Sequence, residues 1–187
     1  MRTLARQFIM LLTLGIAANL PAAELAGVTL PDRIQAGEAQ LVLNGIGLRK
    51  KAFFKVYVAG LYLPARAASE TDILNRDSPR VLTMHFVRDV GRDKLVEAYR
   101  EGFSANNPPE RLAQLQGDID RFLGLVTDVR EGDRITFRYE PGKGSAIEVA
   151  GVHRTQIPGR DFADAYLLVF IGPKPPTEDL KSGLLGH

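Results

Sequence analysis

The spacing of hydrophobic positions alternates between a strand period and a helix period along this chain. Val28-Thr29-Leu30 is a short β-prone run closed by Pro31, and Ala39 to Leu43 is a second. Asn44-Gly45-Ile46-Gly47 reads as a turn, because both glycines take positive φ without steric cost. From Phe53 to Leu63 the apolar residues occupy both alternating faces, which predicts a central strand covered on two sides and stopped by Pro64. Arg80 to Val87 predicts a further strand, with Leu82, Met84 and Phe86 on one face and Val81, Thr83, His85 and Val87 on the other.

The period then lengthens. Leu95, Tyr99 and Phe103 recur every four residues and mark one helix face. Asn107-Pro108-Pro109-Glu110 predicts a helix start, with Asn107 as the cap and a proline in the first turn. Leu112, Leu115, Ile119, Phe122 and Val126 continue as a second amphipathic face. Strands return with Arg134 to Tyr139, the Pro141-Gly142-Lys143-Gly144 hairpin turn, Ala146 to Val149 and His153 to Ile157. Phe162, Tyr166, Val169 and Phe170 trace a final helix face ended by Gly172-Pro173, and Glu178 to Leu184 is a last short helix. Strands, helices, strands and helices in segregated runs predict an α+β fold. Its antiparallel sheet carries a helix layer on one face, with room for a ligand cleft between the layers.

The first residues belong to a different pattern. Arg2 and Arg6 precede an uncharged apolar run from Phe8 to Ala18, and Asn19-Leu20-Pro21-Ala22-Ala23 ends it with small residues. This is the layout of a secretory signal, too short to span a bilayer comfortably. It predicts a leader over residues 1–23, a single domain over 24–187 and export to the periplasm. Removing both arginines takes the formal net charge from +2 to about zero, so the basic balance of the whole chain does not point to a nucleic-acid partner. There are no cysteines, which excludes disulfides, thiolate metal sites and a thiol nucleophile.

Conventional catalytic motifs are missing: no phosphate-binding loop, no dinucleotide fingerprint, no paired-histidine zinc motif and no nucleophile elbow. His85, His153 and His187 lack ligand spacing, so neither a metal nor a cofactor is expected. What stands out is Arg49, placed just before a strand that is apolar on both sides, and Tyr57 within that strand. A guanidinium offers paired, charge-assisted hydrogen bonds to a carboxylate or phenolate. Read on residue type alone, Arg49 is more simply a solvated strand-edge charge and Tyr57 a core residue.

Two stretches carry a resemblance to a known family. Gly45-Ile46-Gly47-Leu48-Arg49 leads into a strand ending Gly60-Leu61-Tyr62-Leu63. Near the C-terminus, Phe170-Ile171-Gly172-Pro173 is followed by Thr177-Glu178-Asp179-Leu180-Lys181. Both resemble the chalcone-isomerase superfamily, and within it the exported bacterial chalcone isomerase-like proteins. The resemblance implies an open-faced β-sandwich whose cleft lies between a large antiparallel sheet and a helix layer. It maps the family's oxyanion-holding arginine onto Arg49, but places Tyr57 and Val169 where ring-closing isomerases have threonines. Those enzymes' helical Tyr and Asn fall in Gly91 to Tyr99, where only Tyr99 offers a hydroxyl. This pattern is closer to the fatty-acid-binding branch, in which an arginine and a tyrosine hold a carboxylate.

The expectation is a non-catalytic periplasmic binder of a fatty acid or other small apolar acid, with Arg49 and Tyr57 as ligand-binding residues. Two alternatives stand beside it. One is an intramolecular lyase acting on an aromatic enone through Arg49. The other is an interaction protein whose cleft is filled by Phe53, Phe54, Tyr57 and Tyr62. Eight residues along one extended strand span about 26 Å, so Arg49 and Tyr57 can share a ligand only if the chain folds back near Lys50 to Ala52.

Overall fold

The structure, a computed structural model, describes residues 22–187, with the side chains of His153 and Arg154 excepted. The expected leader therefore lies outside the described residues except for Ala22 and Ala23, and the His153 side chain lies outside them too.

The described residues open with a hairpin of β1 (Ala22–Leu25) and β2 (Val28–Pro31). A seven-stranded antiparallel sheet follows, in sequence order: β3 (Arg33–Ala36), β4 (Ala39–Lys51), β5 (Phe54–Leu63), β6 (Arg80–Phe86), β7 (Arg134–Glu140), β8 (Gly144–Val149) and β9 (Val152–Ile157). Helix α1 (Glu70–Leu74) lies between β5 and β6. Helices α2 (Arg92–Asn106) and α3 (Pro109–Leu125) lie between β6 and β7, and α4 (Asp161–Ile171) and α5 (Glu178–Leu184) follow β9. This is the expected α+β architecture.

The period-two pattern divides the side chains of the sheet between two cores. Ala59, Leu61, Leu82, Met84, Phe86, Ile135 and Phe137 pack with the helix residues Leu95, Tyr99, Phe103, Phe122, Phe162, Tyr166 and Phe170. Val58, Tyr62 and Val81 point the other way and pack with Val28 and Leu30 of the β1–β2 hairpin, a smaller cover. Central strands sandwiched in this way are apolar on both faces, as the Phe53–Leu63 run indicated.

Several local expectations change. Asn44 to Gly47 is not a turn but the middle of β4. The strand carries a bulge there, with Leu43 opposite Tyr62 and Gly45 opposite Leu61, so Asn44 is the extra residue. Its buried side chain donates to the Leu184 carbonyl at 2.8 Å and accepts from the Ala67 amide at 2.7 Å. The glycines serve close approach rather than positive φ. A Cβ on Gly45 would overlap the carbonyls of Gly183 and Leu184, and one on Gly47 would overlap Leu180. The two family-like stretches are thus two sides of one contact, in which α5 lies backbone-to-backbone on β4.

Asn107 also differs from expectation. Helix α3 begins at Pro109 with Pro108 as its N-cap, and no side chain caps it. Asn107 closes α2 instead, its buried amide donating to the Phe103 carbonyl at 3.1 Å and the Ala165 carbonyl at 3.3 Å. The strand begins at Phe54, one residue late, because Ala52 and Phe53 form the turn and Ala52 takes φ +53. Strands β1 and β3 and helix α1 were not predicted: each is four or five residues long, too short to show a period.

Candidate functional site

The β4–β5 hairpin brings Arg49 and Tyr57 together. The chain folds back through Ala52, and Arg49 and Tyr57 become direct cross-strand partners on the helix-facing side of the sheet. The distance problem posed by their separation in sequence disappears. A second bulge follows, with Arg49 opposite Tyr57 but Lys50 opposite Lys55, which leaves Val56 as the extra residue. Adjacent strand residues ordinarily face opposite ways; here Val56 and Tyr57 both reach the same cavity wall.

That cavity has a volume of about 650 Å³ and lies between the β4–β6 end of the sheet, helix α2 and the end of α4. Its inner wall is apolar, formed by Val56, Met84, Leu95, Tyr99, Val169 and Phe170. Its rim is charged: Arg49, Lys51, Arg88, Lys94 and Lys174 against Asp89, Glu97 and Glu101. Gly102 on α2 lets that helix close on α4, since a Cβ there would overlap the Val169 side chain. The volume falls within the roughly 300–1,000 Å³ typical of small-molecule sites.

Arg49 is half-buried at the mouth. It donates to the Lys50 carbonyl and makes no ion pair among the described residues. Tyr57 is 8% exposed and packs edge-on against Phe86, with ring centroids 5.5 Å apart. Burial pushes its phenol well above the ordinary tyrosine value, and the positive charge of Arg49 opposes that rise only in part. Tyr57 is therefore a neutral hydroxyl donor beside a cation, a combination matched to an anionic oxygen.

Deeper in, the Tyr99 hydroxyl lies 3.2 Å from that of Tyr166 and 3.9 Å from the Met84 sulfur. Burial raises both phenols, Tyr99 further through Tyr166. These two hydroxyls share one hydrogen bond, and burial keeps both protonated in the ordinary pH range. Tyr166 was missed as a neighbour of the site because it reads as one more aromatic on the apolar face of α4. Arg88, Lys94 and Lys174 were missed because they come from separate elements with no shared spacing.

The filled-cleft alternative does not match these positions. Phe53 is 99% exposed, Phe54 stands on the rim at 60%, and Tyr62 belongs to the opposite core, where its hydroxyl donates to the Pro31 carbonyl at 3.0 Å. Nor do the described histidine side chains, those of His85 and His187, form a site. His85 lies on the hairpin-covered face beside Val58 and accepts from Arg134 Nε at 3.2 Å; burial and the Arg134 charge both lower its pKa. His187 is exposed and contacts the Ala68 carbonyl. Among the described residues no cluster could hold a metal ion, and no helix is long and apolar enough to cross a membrane.

Comparison with known proteins agrees with this architecture. No curated protein matches the sequence. Among solved structures, an Arabidopsis thaliana fatty-acid binding protein superposes with a TM-score of 0.65 at 18% identity, covering 88% of this chain and 96% of that one. At that identity the likeness concerns the fold. A family model described as chalcone isomerase-like matches residues 22–186, and the chain therefore belongs to the chalcone isomerase-like family.

Proposed function

We propose that this protein is a non-catalytic binder of a small apolar acid, most simply a fatty acid, held in the cleft between sheet and helices. One observation carries the reading: the Arg49–Tyr57 cross-strand pair stands at the mouth of an apolar cavity, with no carboxylate among the described residues paired to Arg49. The ligand carboxylate would accept from the guanidinium and the Tyr57 phenol, while the chain lies against Met84, Leu95, Val169 and Phe170. Burying an alkyl chain supplies about 0.8 kcal/mol per methylene, and the charged pair supplies selectivity for an acid. The likeness in fold to a fatty-acid binding protein supports this assignment. The apolar, cleavable-looking run over residues 1–23 supports export, and we place the mature protein in the periplasm. Native mass spectrometry of protein purified from its own host tests the reading. A co-purified acid of fixed mass, absent from Arg49→Ala, is the expected result; an empty wild-type protein that also takes up no added acid overturns it.

A second reading has one observation in its favour. Three tyrosine hydroxyls, of Tyr57, Tyr99 and Tyr166, lie in or beside the cavity, and an isomerase of aromatic enones needs positioned donors. An absorbance assay over a chalcone panel decides it: turnover lost in Arg49→Ala establishes the isomerase, and absence of turnover removes it.

A further inference from the structure

The tip of the β4–β5 hairpin carries more charge and exposed aromatic surface than the ligand cleft accounts for. Arg49-Lys50-Lys51-Ala52-Phe53-Phe54-Lys55 holds four cations, two phenylalanines and no acid in seven residues. Phe53 is 99% exposed and Phe54 60%. A large apolar side chain projecting wholly into water gains nothing from the fold that carries it. Lys50 and Lys55 are direct cross-strand partners, a like-charge juxtaposition that costs stability in the isolated hairpin. None of Lys50, Lys51, Lys55 and Arg88 is ion-paired among the described residues. Arg88, in the loop after β6, lies over the Phe54 ring, 4.4 Å from its centroid, and extends the cationic collar. Arg49, Lys51, Phe54 and Arg88 also form part of the cavity rim, so the tip and the cavity mouth point the same way.

We infer that this hairpin tip is a reversible docking site for an anionic lipid bilayer. Two weak signals act together there, as peripheral binding requires. Phe53 and Phe54 enter the interface between headgroups and acyl chains, and the surrounding lysines and arginines meet lipid phosphates. Their alkyl stems can lie along the apolar layer while the charged ends stay wet. Docked in this way, the molecule presents its cleft mouth to the bilayer, the source or destination of an apolar acid. The inference does not depend on what the cleft holds, because vesicle binding is read on protein without added ligand.

The test is co-sedimentation of the protein, as purified from its own host, with phosphatidylcholine vesicles and with phosphatidylcholine:phosphatidylglycerol vesicles at low and high salt. Binding is expected only to the anionic vesicles and should weaken with salt. Each basic residue near such a surface contributes roughly fivefold in affinity, so Lys50→Gln/Lys55→Gln should bind ~25-fold more weakly. Phe53→Ser should lose at least ~10-fold by removing an inserted ring. None of Lys50, Phe53 and Lys55 lines the cavity, so both variants should keep acid binding and melt no lower than wild type. Equal binding to neutral vesicles overturns the inference, as does binding insensitive to these substitutions. So does a dimer dispersed by Phe53→Ser in a protein that ignores vesicles, which would assign the tip to a second copy of the chain. Competition by soluble glycerol phosphate at low concentration would assign it to free phosphate and equally overturn the bilayer reading.

Discussion

Two arginines stand beside tyrosines on the same face of the sheet, and their surroundings set them apart. Arg80, at the start of β6, is 1% exposed, lies over the Tyr139 ring at 4.8 Å and is ion-paired with Asp164 of α4. Asp164 also accepts from Arg160 Nε at 3.2 Å and lies 3.8 Å from Arg111. Burial lowers the Arg80 pKa, Asp164 opposes that, and its Nε and Nη1 remain without partners. Arg49, paired across the strands with Tyr57, has no such acid and opens onto a cavity. One guanidinium is neutralised by the protein's own carboxylate and is structural. The other, under the proposed function, would take its carboxylate from a bound acid. A charge at a low-dielectric boundary is costly until paired, and the location of the partner decides which role an arginine takes.

Breaking the internal pair should give the largest effect. Asp164→Ala strands the buried Arg80 charge and should cost about 3–5 kcal/mol in denaturant unfolding. A loss below 1 kcal/mol would remove Arg80 from the structural class. The mirror experiment, Arg49→Ala, should leave stability within ~0.5 kcal/mol of wild type. It should weaken fatty-acid binding by about 1.5–3 kcal/mol, or roughly 10- to 150-fold, as titration calorimetry would show. Stability loss without affinity loss would make the two arginines alike. Tyr57→Phe sharpens the contrast: it keeps the ring against Phe86 and removes one donor, for an expected loss of about 0.5–1.5 kcal/mol in affinity.

The smallest effect lies in alkali. Burial pushes Tyr139 up to about 12, aided by the hydroxyl's 2.6 Å bond to Asp77, and holds Tyr57 well above the ordinary tyrosine value. Both folded values exceed the unfolded one, so the folded state holds these protons more tightly. Their contribution is complete below pH 10 and is lost as pH rises through the folded values. Denaturant midpoints should be level on the neutral side of pH 10 and fall above it; a rise there would contradict the burial of these phenols.

Much of this was legible in the sequence because it is periodic. The two-sided apolar run of β5, the four-residue spacing of α2 and the Pro-Gly-Lys-Gly turn each identified an element within a residue or so. The features that build the site are local breaks in period or long-range contacts. Asn44 and Val56 are bulges, invisible to an alternation count, and each turns a side chain to a side that alternation assigns to its neighbour. Gly45 and Gly47 looked like a turn, because a glycine needed for close packing against α5 is indistinguishable in sequence from one needed for φ. Arg80 and Asp164 lie 84 residues apart, and only the fold makes them a pair. Arg49 and Tyr57 were identified by residue type and resemblance, and their register depended on a turn at Ala52 that nothing in their spacing fixes.

The most direct test of the account compares a long-chain fatty acid with the alcohol of equal length, each titrated into wild-type protein and Arg49→Ala. The account predicts that wild type prefers the acid by at least ~10-fold and that Arg49→Ala binds acid and alcohol about equally. A wild-type protein indifferent to the carboxylate, or a preference that survives loss of Arg49, would contradict it.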